Sequence, residues 1–312
     1  MRIGVVTDSC CDLPRDFLDR HHIDILPITI RDDGNTFIDR RDPVATRQFY
    51  AQLGGDSEYI SEPFSVEAIR QRFLDQLVVD FDYVFCLTVM SSRSKIFENA
   101  SLAARAILTD YRPIREAAGH SRPFSLRVFD SNNLFPGQGL IVAEVARLAA
   151  EGASSSVIIA TIEKLTQTTQ AFLIPADLAQ LRNQARRKGD KSVGFASYLL
   201  GSALDIKPII RGFQGTTEPI GRVRGFEAGV QKLFDTALDE LNKGLLAPTI
   251  CISYGGDPKV VEAMPGYAAL KQAATARRVQ VYLCEMSTTA AVNIGVGGLA
   301  LAFASEREVR FD

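Results

Sequence analysis

Three observations predict an α/β fold of two domains. Short β-branched runs, such as Ile3-Gly4-Val5-Val6 and residues 83–89, alternate with helix-period segments, as buried parallel strands alternate with crossover helices. Three of these strands end on polar turns: Thr7-Asp8-Ser9, Ser91-Ser92 and Asp130-Ser131. A parallel sheet gathers such ends on one edge, where α/β folds hold ligands. The chain has 312 residues, enough for two ordinary domains, and its pattern changes near residue 154. The expectation is an N-terminal three-layer parallel-sheet domain over residues 1–160. A C-terminal α/β domain follows over 161–312.

Each element has its reason. After the first strand, Pro14 fits a first helical turn, with Asp12 ahead as cap, and predicts a helix to Arg20. Residues 23–30 read as one strand. Asp33-Gly34 is hairpin chemistry and predicts a return strand at 36–38. Asp42-Pro43 opens a helix to about Leu53, where Gly54-Gly55 ends it. Residues 66–77 are an amphipathic helix, 83–89 a buried strand, 96–108 a helix and 126–129 a strand. A long helix follows from Gly137 to Ala150. The second half predicts helices at 157–168 and 176–187, a strand at 171–173 and a further segment at 195–204. A hairpin forms around Gly215, with Ile220–Val223 as partner strand. Then come a helix over 226–241, strands at 249–253 and 279–284, and a helix over 258–275 between them.

Composition narrows the function. Hydrophobic content is 46%, charged content 23% and formal net charge −2, so nothing general favours nucleic acid. The basic cluster from Arg182 to Lys191 reads as a solvated face. Five cysteines, two of them adjacent, and three histidines fit neither a disulfide framework nor a zinc site. No metal or cofactor is expected. No apolar run reaches the ~18 residues of a membrane span. The N-terminus reads as a strand and not as a signal peptide, so the cytoplasm is the expected compartment.

The order of these motifs resembles the DegV family of bacterial lipid-binding proteins. Thr7-Asp8-Ser9 and Asp12-Leu13 match its opening T-D-S-x-x-D-L. Ile60-Ser61-Glu62-Pro63-Phe64 keeps the serine and proline of T-S-Q-P-S. Ser91-Ser92 match the start of S-S-x-L-S-G-T, and Asp130-Ser131 a family D-S. Asp177-Leu178, Leu181 and Arg186 are similar to D-L-x-x-L followed by G-G-R. Residues 201–209 resemble G-S-x-L-x-I-K-P-I, with Arg224 at a following basic position. The tail resembles H-x-G-P-G-x-L-G-L-A-F, with Asn293 for the histidine and Val296 for the proline.

The resemblance implies a long-chain fatty acid of the palmitate or oleate type, its acyl chain in an apolar tunnel between the domains and its carboxylate on hydroxyls. It also implies a carrier that presents this carboxylate to a separate fatty acid kinase, and not an enzyme. Ser61 and Ser91 are the leading carboxylate donors, because a short hydroxyl gives a directed hydrogen bond. Ser92, Asn293 and Arg186 join them as binding positions, although a surface contact or an interdomain ion pair is the stronger reading of Arg186. Thr7, Asp8, Ser9, Asp130 and Ser131 form a candidate ligand edge. The same serines would serve equally as helix caps, and the opening turn as a βα connection that binds nothing. Phe172, Leu173, Ile174, Phe195, Leu199 and Ile209 are candidate tunnel walls or plain core.

Burying 16 carbons at about 0.8 kcal/mol per CH₂ would offset carboxylate desolvation by on the order of 10 kcal/mol before ordering costs. The alternative is a hydrolase or acyltransferase using Ser9 or Ser91. Nucleophilic serine needs an adjacent base, and neither a G-x-S-x-G elbow nor a triad histidine is evident. A phosphotransferase would need more than Gly295-Val296-Gly297-Gly298, which lacks the P-loop lysine.

Overall fold

The opening run forms β1 (Ile3–Asp8), one of the two inner strands of a parallel sheet. The computed structural model describes residues 1–32, 34–53, 59–178 and 205–311. α1 (Arg15–Arg20) follows with Pro14, not Asp12, at its N-cap and no side-chain cap. The single strand expected over 23–30 is two. β2 (Asp24–Leu26) pairs parallel with β1, whereas β3 (Ile28–Arg31) joins a separate antiparallel sheet. Pro27 separates them: it has no N–H to give a ladder. β3 lies between β4 (Thr36–Asp39) and β5 (Ile60–Glu62). α2 (Pro43–Gln52) begins as expected, with Asp42 accepting the Ala45 N–H at 2.8 Å.

The expected helix over 66–77 is α3 (Val66–Arg72), which runs through a π-helical turn at Phe73–Leu77 into α4 (Val78–Asp80). β6 (Tyr83–Thr88), α5 (Ile96–Ala106), α6 (Tyr111–Ala117) and β7 (Ser125–Asp130) complete the parallel sheet, in the order β2-β1-β6-β7. α6 has no counterpart in the sequence reading. Its buried Arg115 donates from its guanidinium to Val78 O and Phe81 O at 2.7 and 2.6 Å, while Tyr111 and Ile114 pack on the apolar cluster.

α7 (Pro136–Ala150) and α8 (Ser155–Thr168) lead into β8 (Thr169–Ile174). α8 therefore runs across the expected division at 160/161. The hairpin of β9 (Ile206–Phe213) and β10 (Thr216–Arg224) turns at Gln214 and Gly215, with φ of 46° and 77°. α9 (Phe226–Lys243) and β11 (Thr249–Tyr254) follow. The helix expected over 258–275 is broken at Gly266, φ 88°, into α10 (Lys259–Glu262) and α11 (Tyr267–Ala276). β12 (Gln280–Glu285), α12 (Thr288–Ile294) and β13 (Leu299–Ala304) close the chain. The mixed sheet has the order β10-β9-β8-β13-β11-β12. The expected helix over 176–187 lies almost wholly outside the described residues, as does the segment 195–204 with Phe195 and Leu199.

Alternation sorts the cores. In the parallel sheet Val6, Val84 and Cys86 face α3 and α5, while Val5, Phe85 and Leu87 face α1 and α7: three layers, as expected. The mixed sheet turns Phe172, Ile174, Leu301 and Phe303 to α9 and α11. Where α7 packs, its other face is small: Ala171, Ala302, Ala304, Cys251 and Gly212, with the larger Leu173 and Ile210 toward the inter-sheet cluster. α7 packs between that face and β1–β6. The close approach needs glycine. A Cβ on Gly137 would lie 2.0 Å from Asn133 Oδ1, and one on Gly139 would lie 2.5 Å from Asp12 O.

Candidate functional site

The turn after β1 is spent on the protein itself. Asp8 is fully buried, and its carboxylate accepts the Cys10 and Val89 N–H groups at 2.9 and 2.6 Å. Burial nevertheless pushes Asp8 up to about 6. Thr7 Oγ1 accepts from Gln138 at 2.9 Å, and Ser9 Oγ accepts the Ile28 N–H at 3.0 Å. Thr7, Asp8 and Ser9 thus join β1 to β6, α7 and β3. Ser131 is likewise buried, its hydroxyl donating to Asn133 O. Asp130 accepts from Ser91 N and Asn132 N at 3.0 and 2.8 Å, which ties the ends of β6 and β7 together. These five positions organise the carboxyl edge through the protein's own bonds.

A buried polar network joins the two halves of the chain. Asp12 accepts from Ser253 Oγ at 2.6 Å and from Ser287 N at 2.8 Å, with Arg41 Nη1 at 3.5 Å. Arg41 donates to Glu285 O at 2.9 Å. Asp39 accepts from Arg41 N, Thr288 N and Thr288 Oγ1. Tyr50 donates to Met286 O. Burial opposes charge on both Asp12 and Arg41. It still raises the Asp12 carboxyl, whereas Arg41 is held charged by Asp12 and Asp39. Nothing in the motif spacing pointed to Arg41 or Asp39.

Past β6 the chain goes from fully buried Met90 to exposed Ser91 in one step. Ser91 Oγ has no hydrogen-bond partner among the described residues. Ser92 Oγ donates to Gly215 O at 2.6 Å, Gly215 N donates to Asn132 O at 2.8 Å, and Arg93 reaches Thr217 Oγ1. The β9–β10 hairpin tip is thereby clasped to the polar edge, and Ser92 is the clasp.

Ser61 sits opposite Ile30 on β5, exposed, with its hydroxyl likewise unpartnered among the described residues. Directly opposed residues share a sheet face, and Ile30 packs with Ala291 and Val292. Helix α12 therefore covers the Ser61 face. Asn99 of α5 donates to Phe64 O at 2.8 Å, which ties the segment after Ser61 to the helix that follows Ser91. Asn293 is half-buried on α12 and donates to Thr289 O at 2.6 Å. Arg186 lies outside the described residues. Thr289, buried one turn before Asn293, went unnoticed in the sequence because nothing sets it apart from Thr288.

An apolar cluster fills the space between these groups and joins both halves. Val89, Met90, Ile96, Leu134 and Phe135 meet Leu173, Leu178, Ile210, Met286, Ala290, Ile294 and Ala300. The candidate walls separate accordingly. Leu173 faces this cluster, whereas Phe172, Ile174 and Ile209 belong to the core under α9. No serine is hydrogen-bonded to a histidine among the described residues. His120 lies 3.4 Å from Arg2, and His21 packs on Phe17 at 4.3 Å. Among the described residues no group of three or more His, Cys, Asp or Glu could hold a metal ion, and no helix is long and apolar enough to cross a membrane.

A family model described as "Uncharacterised protein, DegV family" matches residues 2–306. A DegV domain-containing protein of Xanthomonas axonopodis pv. citri is 49% identical over 310 residues, 98% of each chain. Among solved structures, a DegV family protein from Thermus thermophilus, described for its fatty acid binding, superposes with a TM-score of 0.74 at 24% identity. That match covers 98% of this chain and 100% of the other. A stearic acid-binding protein from Eubacterium ventriosum gives 0.75 at 20% identity, covering 97% and 98%. The α/β architecture, with one parallel and one mixed sheet, is the fold of those structures.

Proposed function

Because this chain belongs to the DegV family, we propose that it binds a long-chain fatty acid between its parallel and mixed sheets. The acyl chain occupies the apolar cluster that joins the two halves. The carboxylate lies at the rim, on the hydroxyls of Ser61 and Ser91. The protein acts as a carrier in the cytoplasm and presents that carboxylate to a fatty acid kinase. Its N-terminal domain spans residues 1–160 and its C-terminal domain 161–312, the two joined through the continuous helix α8. The relatives described as binding fatty acids, stearic acid among them, support the ligand class.

The observation that carries the site is the step from buried Met90 to exposed Ser91, with a hydroxyl the described protein leaves unused. A carboxylate is costly to bury without donors, and a hydroxyl beside an apolar cluster offers one. Asp130 sharpens the geometry: it already takes the Ser91 N–H, so the hydroxyl and not the backbone is the donor. Ser92 is the weaker ligand candidate, since its hydroxyl holds the hairpin tip.

The test is lipid extraction from protein purified from cells, with native mass spectrometry. A stoichiometric long-chain fatty acid should accompany the wild-type protein and be depleted in the Ser61→Ala/Ser91→Ala double variant. A clean apo mass with no uptake of added palmitate or oleate refutes the reading. The hydrolase alternative gains no support, since Ser9 is buried as an acceptor and no described serine meets a histidine.

A further inference from the structure

Thr289 is 6% exposed, and its hydroxyl has no hydrogen-bond partner among the described residues. A threonine hydroxyl can donate one bond and accept two, and leaving it unpaired in the interior costs free energy. Such a group calls for an explanation. The group facing it is the Cys10 thiol, a weak partner that is itself buried in the apolar cluster between the sheets.

The placement of Thr289 on α12 is specific. Ala290 and Ile294 face the inter-sheet cluster, while Ala291 and Val292 face the β3–β5 sheet and α2. At 100° per residue, Thr289 and Asn293 fall between Val292 and Ala290, one turn apart on the same side. The Asn293 amide folds back to Thr289 O, so the two polar side chains form one short stripe along the rim of the cluster. α12 also covers the sheet face that carries Ser61.

We propose that Thr289 is a further ligand-binding residue, its hydroxyl donating from α12 to the carboxylate of the bound fatty acid. This rests on the fatty acid reading above. Within the described protein that hydroxyl meets only the weak Cys10 thiol, and a carboxylate is a far stronger acceptor.

The assay is displacement of a fluorescent fatty acid by palmitate, with thermal melting of delipidated protein alongside. Thr289→Val keeps the shape and removes the hydroxyl. It should melt at or above the wild-type temperature when free of lipid, because an unpaired buried hydroxyl is gone. It should bind palmitate about tenfold more weakly, as expected for one hydrogen bond to a charged acceptor. Hexadecanol, which has no carboxylate, should bind the variant and wild type alike. Thr289→Ser keeps the donor, should bind palmitate as wild type does, and guards against misfolding of the valine variant. Palmitate affinity unchanged in Thr289→Val, with Ser61→Ala/Ser91→Ala impaired, overturns this inference and leaves the fatty acid reading intact. A wild-type protein that takes up no palmitate overturns both.

Discussion

Replacing Asp12 with alanine should separate the two halves energetically. The carboxylate is 1% exposed and accepts from Ser253 Oγ at 2.6 Å and Ser287 N at 2.8 Å, both from the C-terminal half. Its other neighbour, Arg41, stays charged and buried, with Glu285 O at 2.9 Å and Asp39 close by. Removing one member of a buried pair costs about 3–5 kcal/mol, because the other is left uncompensated. Two hydrogen bonds to a charged acceptor, at about 1.5–3 kcal/mol each, give a similar total by another route. Asp12→Ala should therefore lose about 4 kcal/mol, a large part of the ~5–15 kcal/mol typical of folded proteins. Urea unfolding at pH 7 measures it. Burial raises the Asp12 carboxyl despite Arg41, so ionising it already works against the fold. Arg41→Met added to Asp12→Ala should then cost less than the sum of the single changes, since no lone charge remains. A loss under about 1 kcal/mol for Asp12→Ala, or strict additivity, refutes the account.

Asp8 gives a pH signature. Its folded value of about 6 lies above the unfolded ~3.9, so its contribution to stability is full at low pH and is lost as pH rises through 6. Wild type should lose about 1 kcal/mol relative to Asp8→Asn between pH 5 and 7 in urea titrations, and a parallel pair of curves would falsify the assignment. Gly139→Ala gains about 1 kcal/mol of helix propensity but drives a Cβ to 2.5 Å from Asp12 O. Overpacking of about 1–3 kcal/mol should win, lowering the melting temperature by several degrees. A raised melting temperature would show that α7 has slack.

Much of the fold was legible because strands and helices announce themselves by period. β1, β6 and β7, with the helices after them, follow from apolar runs and their polar ends. The failures have physical causes. Residues 23–30 read as one strand because periodicity is blind to sheet membership, and Pro27 ends one ladder and frees the chain for another. α6 was missed because only Tyr111 and Ile114 give it an apolar face, and Arg115 adds bonds to backbone carbonyls that no pattern of side chains reveals. The one helix expected over 258–275 became two because Gly266 takes a positive φ, which the surrounding apolar spacing masks.

The site was legible as an edge and not as a set of roles. Hydroxyls and carboxylates at strand ends mark where a ligand belongs, but the same residue types close a turn. Only partners distinguish the two uses. Thr7, Asp8, Ser9 and Ser131 have theirs inside the fold. Ser92 has its partner across the clasp. Ser61 and Ser91 have none among the described residues, which is what makes them the proposed carboxylate donors. The walls divide by the same logic. Leu173 and Phe172 are adjacent in sequence, yet strand alternation sends Leu173 to the inter-sheet cluster and Phe172 to the core under α9. Enlarging Leu173 should therefore restrict acyl length, whereas Phe172→Ala should lower stability by about 3–5 kcal/mol and leave chain-length preference unchanged. Binding profiles over 12- to 20-carbon acids, read beside urea unfolding, separate the outcomes. A shift in chain-length preference for Phe172→Ala would mean that the acyl chain lies on the other face of the mixed sheet.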